Sequence, residues 1–225
     1  MPFDCLVNRI SVIIPTLNEA DNLAPTLEPL VKSGVHEIII VDAGSTDGTA
    51  EIASKFDVSF KVTPKEGRAQ QMNYGAEIAT GEVLLFLHAD TLVPESALQQ
   101  LAIKLEHPEV IGGGFERFFD SQSVFLRLTC RLANHRSRRS GIFLGDQGIF
   151  VRTIVFKTLN GYNKFLAYGE DLDFSLWMRE MGETIAISPP VLSSARRFEK
   201  LGPLLQTLKD LWLTAKILYF RKRIR

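Results

Sequence analysis

The residues best suited to chemistry are carboxylates placed where apolar runs stop. Asp90 follows such a run in VLLFLHADT. A carboxylate on a short loop at the end of a buried strand can hold Mg²⁺ or Mn²⁺ against a diphosphate. These ions take oxygen ligands, keep several waters and need only one or two protein carboxylates. His88 stands in the same motif, and an imidazole can also ligate Mn²⁺. Asp42 ends a second run in IIIVDAGSTDGT, where an acid can accept from a base imide or a ribose hydroxyl; Gly44 and Gly48 there permit close backbone approach. That loop has neither a P-loop lysine nor GxGxxG spacing, so ATPase and dinucleotide-binding readings find no support.

Glu170 and Asp171, in LAYGEDLDF, open a helical pattern. They offer a general base for an acceptor hydroxyl, a role that typically contributes about 10²–10⁴-fold in rate. The alternative for such acids is plain helix stabilisation through the macrodipole. For the strand-end residues the alternative is capping and turn formation. Among cations, Arg68 in PKEGRAQQMNYG lies between a strand and a helix, where a guanidinium can reach phosphate bidentately. Arg196 and Arg197, after Pro189-Pro190, are expected to serve the same end from a loop, with surface solvation as their alternative.

The elements that must position these groups alternate in the first half. Apolar, β-branched runs at 10–14, 37–41, 58–62 and 83–87 predict strands, and helical patterns are expected over 21–32, 49–56, 69–79 and from Pro94 to about Leu105. This is the pattern of an open, mostly parallel α/β sheet with helices on both faces, whose ligand site lies beyond the carboxyl ends of the strands. Thr16, Asn18, Glu19, Asp42, His88 and Asp90 all fall at those ends. The second half is less regular: a strand over 110–119, a basic-ended helix over 121–139, a turn and strand in GDQGIFVR, and a helix over 169–182 are expected.

Bulk composition bounds the function. The chain has 225 residues, 45% of them apolar, which suits one large domain with or without a tail. Lysine plus arginine and aspartate plus glutamate each number 26, so no global field draws it to nucleic acid. Two cysteines, Cys5 and Cys130, make no CxxC pattern, which argues against a disulfide scaffold or a structural zinc site. The start MPFDCLVNRI shows no leader pattern, and no apolar stretch approaches the roughly 20 residues of a spanning helix. A cytoplasmic location is the resulting expectation.

SVIIPTLNE, VDAGSTDGT, GRAQQMNYGAEIATGEVLLFLHADT and GEDLDFSLWMREMG, in that order over roughly residues 10–190, resemble family 2 glycosyltransferases of the GT-A fold. LHADT together with GDQGIFVR is similar to the branch described as radical-SAM/selenodomain-associated transferases. The resemblance implies inverting transfer from a nucleoside-diphosphate sugar, with a UDP-sugar favoured, to an unknown hydroxyl acceptor. It implies Mn²⁺ or Mg²⁺ as cofactor, held by Asp90 with His88 where the family more usually has an Asp. Pro15, Thr16, Glu19, Asp42, Arg68 and Ala89 would bind the nucleotide sugar. Asp171, with Glu170, would supply the base, and Gly145, Asp146 and Gln147 would face the acceptor. The alternatives are a sugar-phosphate nucleotidyltransferase, which would want a glycine-rich basic loop where PTLNEADN stands, and a nucleotide-sugar-binding protein without turnover.

A catalytic domain over 1–202 is expected, its halves 1–105 and 106–202 serving donor and acceptor. Over 203–225, PLLQTLKDLWLTAKILYFRKRIR places Leu204, Leu208, Leu211, Trp212, Ala215, Leu218 and Tyr219 at helical spacing beside Lys209, Lys216 and a basic end. Either this stripe packs on the domain, or the helix makes a peripheral contact with anionic lipid at the inner face of the plasma membrane.

Overall fold

The computed structural model describes Val7 and residues 9–63, 67–166 and 168–224. Cys5, the Pro64–Glu66 part of the expected phosphate loop and the side chains of the terminal RKRIR lie outside the description. Strands are β1 (Ile10–Thr16), β2 (Glu37–Asp42), β3 (Ser59–Val62), β4 (Val83–Phe86), β5 (Thr91–Leu92), β6 (Val110–Asp120), β7 (Ile149–Arg152) and β8 (Glu183–Ser194). Helices are α1 (Ala20–Lys32), α2 (Thr49–Ala53), α3 (Arg68–Ile78), α4 (Glu95–Lys104), α5 (Val124–Ser140), α6 (Thr153–Thr158), α7 (Glu170–Met181), α8 (Arg196–Leu201) and α9 (Pro203–Ile224), with a 3₁₀ turn at Gly145–Gln147.

One sheet orders the strands β3-β2-β1-β4-β7-β6-β8-β5. The run β3-β2-β1-β4 is parallel, as the apolar strand runs require. β7 then pairs antiparallel with both β4 and β6, β6 and β8 run parallel, and β5 closes antiparallel on β8. The sheet is therefore mixed, with its all-parallel part confined to the first half. Chain order reverses between β1 and β4, which sets the crevice at the carboxyl ends of those strands.

Alternation along β1 splits the core. Val12 and Ile14 pack with Leu23, Leu27 and Leu30 of α1 and Ala97, Leu98 and Leu101 of α4 on one face. Ile13 packs with Met72 and Ala76 of α3 and with Phe156, Phe174 and Met178 of α6 and α7 on the other. The glycines of β6 serve this second layer, since a Cβ on Gly114 would stand 2.7 Å from the Phe143 ring.

One element lies where the sequence reading assigned none, and another corrects it. Residues 183–194 form a long strand despite Pro189 and Pro190, because the pairing of β6 with β8 jumps from Phe115–Ile187 to Arg117–Val191, and the prolines occupy the irregular stretch where no ladder donor is needed. Arg196 and Arg197, expected on a loop, begin α8.

Candidate active site

Two loops at the carboxyl ends of β1 and β2 hold each other. Asp42 pairs in register with Thr16 at the ends of β2 and β1, and its buried carboxylate accepts from Thr16 Oγ1 at 2.8 Å, the Gly44 N–H at 2.9 Å, and the Ser45 N–H and Oγ at 2.7 and 2.5 Å. A carboxylate offers about four acceptor positions, so Asp42 is saturated by its own loop. Asn18 donates its N–H to Ser45 Oγ and accepts from the Thr46 N–H, while the Glu19 and Ala20 N–H groups donate to Thr49 and Asp47. Half-buried Pro15 lies between, on the same strand end. Gln71 of α3 ties the base of both loops, donating to the Thr16 and Val41 carbonyls at 2.8 Å each.

Beside these loops, Arg196 forms a bridge. Its guanidinium donates to both oxygens of Glu19, at 2.5 and 2.8 Å, and its Nε stands 3.1 Å from Asp90 Oδ2. Burial, with Glu19 nearby, pushes the Asp90 carboxyl up, and Arg196 opposes the shift. Asp90 and Glu19 thus share one cation. A divalent ion could take that place with a diphosphate completing its shell, so Asp90 fits the expected role. His88 points elsewhere, toward the cavity floor. Burial and the Arg68 charge lower its pKa to about 3, so it is neutral at physiological pH. Among the described residues, no group of three or more His, Cys, Asp or Glu is placed to hold a metal. Ala89, expected to touch the donor, is buried in the core, and its carbonyl accepts from Thr26.

A cavity of about 830 Å³ opens between α5, α7 and α9. Its floor carries His88, Asp146, Glu170 and Asp171, and Arg68 at the start of α3 also lines it. Asp171 Oδ2 accepts the Gly145 N–H at 2.6 Å and Oδ1 accepts the Leu172 N–H at 2.7 Å, which fixes the carboxylate. Glu170 is buried one residue before it, and burial together with the Asp171 charge raises its pKa. Arg68 approaches Glu170 at 3.7 Å. Asp146 pairs with Arg117 of β6 and lies 3.8 Å from Arg197; these cations hold it below the usual carboxylate range against the opposing effect of burial. Gln147 does not face the cavity as expected. It is fully buried, and its amide bonds the Leu144 N–H, Ser137 Oγ and the Phe115 carbonyl, so it fixes the turn that carries Gly145 and Asp146.

Strand-end acids beside a reversed strand order, with an anchored carboxylate across a cavity, narrow the choice of family, and a match over most of the chain decides it. The family model for Glycosyl transferase family 2 matches residues 11–163. The chain belongs to glycosyltransferase family 2. A PGL/p-HBAD biosynthesis glycosyltransferase of Mycobacterium bovis is 31% identical over 185 residues, 74% of this chain and 68% of its own length. The glycosyltransferase GlyG of Streptococcus pneumoniae is 31% identical over 126 residues, 52% of this chain and 42% of that protein. Of solved structures, S. aureus TarS 1–349 superposes with a TM-score of 0.65 at 19% identity over 83% of this chain and 60% of that one. The mannosyltransferase PcManGT of Pyrobaculum calidifontis, in complex with GDP-Man and Mn²⁺, superposes at 0.63 with 23% identity over 83% and 56%. This family 2 chain thus shares the fold of both and spans well under two thirds of the length of GlyG and TarS.

Sequence reasoning about the family 2 site missed Gln71 and Arg117. Gln71 was visible only as one of two glutamines on a helix. Arg117 sits beside Glu116 in the otherwise apolar and glycine-rich VIGGGFERFF, and a cation inside such a strand was the available signal that a buried partner awaited it.

Proposed function

We propose that the chain transfers a glycosyl group, with inversion, from a nucleoside-diphosphate sugar to an acceptor hydroxyl. The observation that carries this reading is Asp171, anchored by the Gly145 N–H at 2.6 Å on the floor of a cavity that Arg68 and His88 also line. Asp171 takes the proton as the hydroxyl oxygen attacks the anomeric carbon, and the nucleoside diphosphate departs with the bonding electrons of the broken glycosyl bond. Arg68 lies where a guanidinium reaches the diphosphate, and Glu170 orients it. Pro15, Thr16 and Glu19 border the base and ribose, with Asp42 holding the loop that meets them. Asp90 would hold Mn²⁺ or Mg²⁺, which when bound would supply positive charge to the departing diphosphate. TarS has been solved with UDP and with UDP-GlcNAc and PcManGT with GDP-Man, so uridine and guanosine head the candidates, uridine first.

The test is a thermal-shift panel of UDP, GDP, CDP and ADP and their sugars, with and without Mn²⁺ or Mg²⁺, on the wild type, Asp90→Ala and Asp171→Asn. A ligand at 100 times its Kd stabilises by roughly 2.7 kcal/mol. One nucleotide should stabilise the wild type in a metal-dependent way that Asp90→Ala loses. Asp171→Asn should keep that shift and lose transfer by about 10²–10⁴-fold. No shift with any nucleotide would overturn the reading.

A further inference from the structure

The cavity above Asp171 has a polar floor and apolar walls, and the contrast identifies what it takes. Leu132 of α5, Phe165 of the segment before α7, and Leu211, Leu213 and Ile217 of α9 line it. The threonines among the lining residues turn their hydroxyls back to their own helices: Thr129 donates to the Leu126 carbonyl, Thr207 to that of Pro203 and Thr214 to that of Asp210. Two charged groups on the α9 and Phe165 side are engaged as well, while Arg136 of α5 lies toward Asp146 and Asp171 at the polar end. Asp210 meets Arg197 at 3.6 Å and accepts from Gln206, and Lys164 lies over the Phe165 ring. Along α9 and Phe165 a polyhydroxylated acceptor would therefore set hydroxyls against carbon, which is costly, whereas Gln70 and Arg136 leave polar partners only toward the other end. At the floor the reverse holds, because Asp171 accepts two backbone N–H groups and keeps acceptor capacity for one more donor.

The rim continues this character outward. Leu132 and Leu211 belong to the lining and are also 62% and 61% exposed. They continue the exposed apolar faces formed by Val124 and Leu128 on α5 and by Leu204 and Leu208 on α9. We propose that the acceptor is an amphiphilic alcohol, a single reactive hydroxyl on an apolar body, whose hydroxyl reaches Asp171 while its body lies between α5, α9 and Phe165. This rests on the glycosyltransferase reading for the role of Asp171. The volume of about 830 Å³ sits in the upper part of the range of small-molecule sites, room for a body well beyond a single sugar ring.

The test uses the full chain and a series of n-alkan-1-ols from butanol to decanol, with glycerol and glucose as polar controls, followed by calorimetric titration. Affinity should rise roughly fourfold per methylene until the body reaches the rim, and both controls should fail to bind. Phe165→Asp, at a side chain 87% exposed, leaves the fold intact and should weaken decanol at least about tenfold while the nucleotide shift is unchanged. A flat series, glucose binding as tightly as decanol, or an unchanged Phe165→Asp would each overturn the proposal. Nucleotide binding with a flat series would sink the acceptor assignment alone, whereas a graded series without nucleotide binding would sink the donor reading and leave the apolar site standing. Retention on phosphatidylglycerol vesicles carrying decanol, lost in Leu211→Asp, would place the alcohol's source in a bilayer. Binding in solution without retention would place it in water, and the proposal holds in either case.

Discussion

Gly145 stands between the two side chains whose relation the chemistry depends on. A methyl group there would lie 2.7 Å from His88 Nε2 and 3.1 Å from Asp171 Oδ2, so one of them must move. Its N–H also anchors Asp171, and a tilt of the turn would lengthen that 2.6 Å bond. Gly145→Ala should therefore lower kcat by about 10²-fold, the cost of a displacement near 1 Å in a reacting group. Nucleotide affinity should stay at the wild-type value, because the Thr16, Glu19 and Asp42 cluster lies outside the cavity lining. Steady-state kinetics beside nucleotide titration checks this, and a parallel loss of nucleotide affinity would show that the turn supports the donor site. At this scale the place of Asp171 in the first turn of a helix was legible, since paired acids opening a helix are a local signal. The state of His88 was not. Its neutrality comes from burial and from Arg68, and neither is encoded in the residues around it.

Between elements, the contact that ties the two halves of the site is Arg196 of α8 reaching Glu19 before α1 and Asp90 after β4. The strand-helix alternation that places Glu19 and Asp90 could be read from apolar runs ending in polar residues. α8 could not, because RRFEKL is too short for a period and follows a proline pair that reads as a loop. β8 was hidden for the same reason, as its prolines sit in a bulge that only the neighbouring β6 defines. On the proposed function, Arg196 and a metal would compete for the Asp90 carboxylate in the absence of nucleotide. Arg196→Ala should thus tighten Mn²⁺ binding to the nucleotide-free protein by roughly fivefold, equivalent to about 1 kcal/mol. The gain is kept to that size because the Arg196 side chain is 42% exposed and water screens the pair. Electron paramagnetic resonance of free Mn²⁺ measures it, with Asp90→Ala as the variant that should bind none. Weaker binding in Arg196→Ala would mean that Arg196 positions Asp90 for the metal instead of competing with it.

For the whole molecule, the donor and acceptor halves expected over 1–105 and 106–202 share one sheet. β4 of the first half pairs with β7 of the second, and the two-residue β5 of the first half closes on β8 at the far edge. The stripe of α9 shows the limit of sequence periodicity. Leu204, Leu208, Trp212 and Tyr219 face outward and Leu211 stands at the cavity rim, while buried Gln206 and half-buried Leu213 and Ile217 face the domain. Apolar spacing marked a helix but not which side the domain would claim. No helix among the described residues is long and apolar enough to cross a membrane. A seam this continuous should make the halves unfold together. Phe150, fully buried on β7, lies opposite Leu85 of β4 and Gly113 of β6 and packs its ring on Phe115. Phe150→Ala should cost about 3–5 kcal/mol, a fall in Tm of roughly 6–20 °C for a domain of this size. Far-UV circular dichroism follows the whole chain, whereas tryptophan fluorescence follows Trp177 and Trp212, both in the later part. If the sheet is one cooperative unit, both transitions shift together and remain superimposable. A fluorescence transition that moves alone, leaving a second step in the circular dichroism, would show that the parallel half holds its structure without the half that carries Asp171.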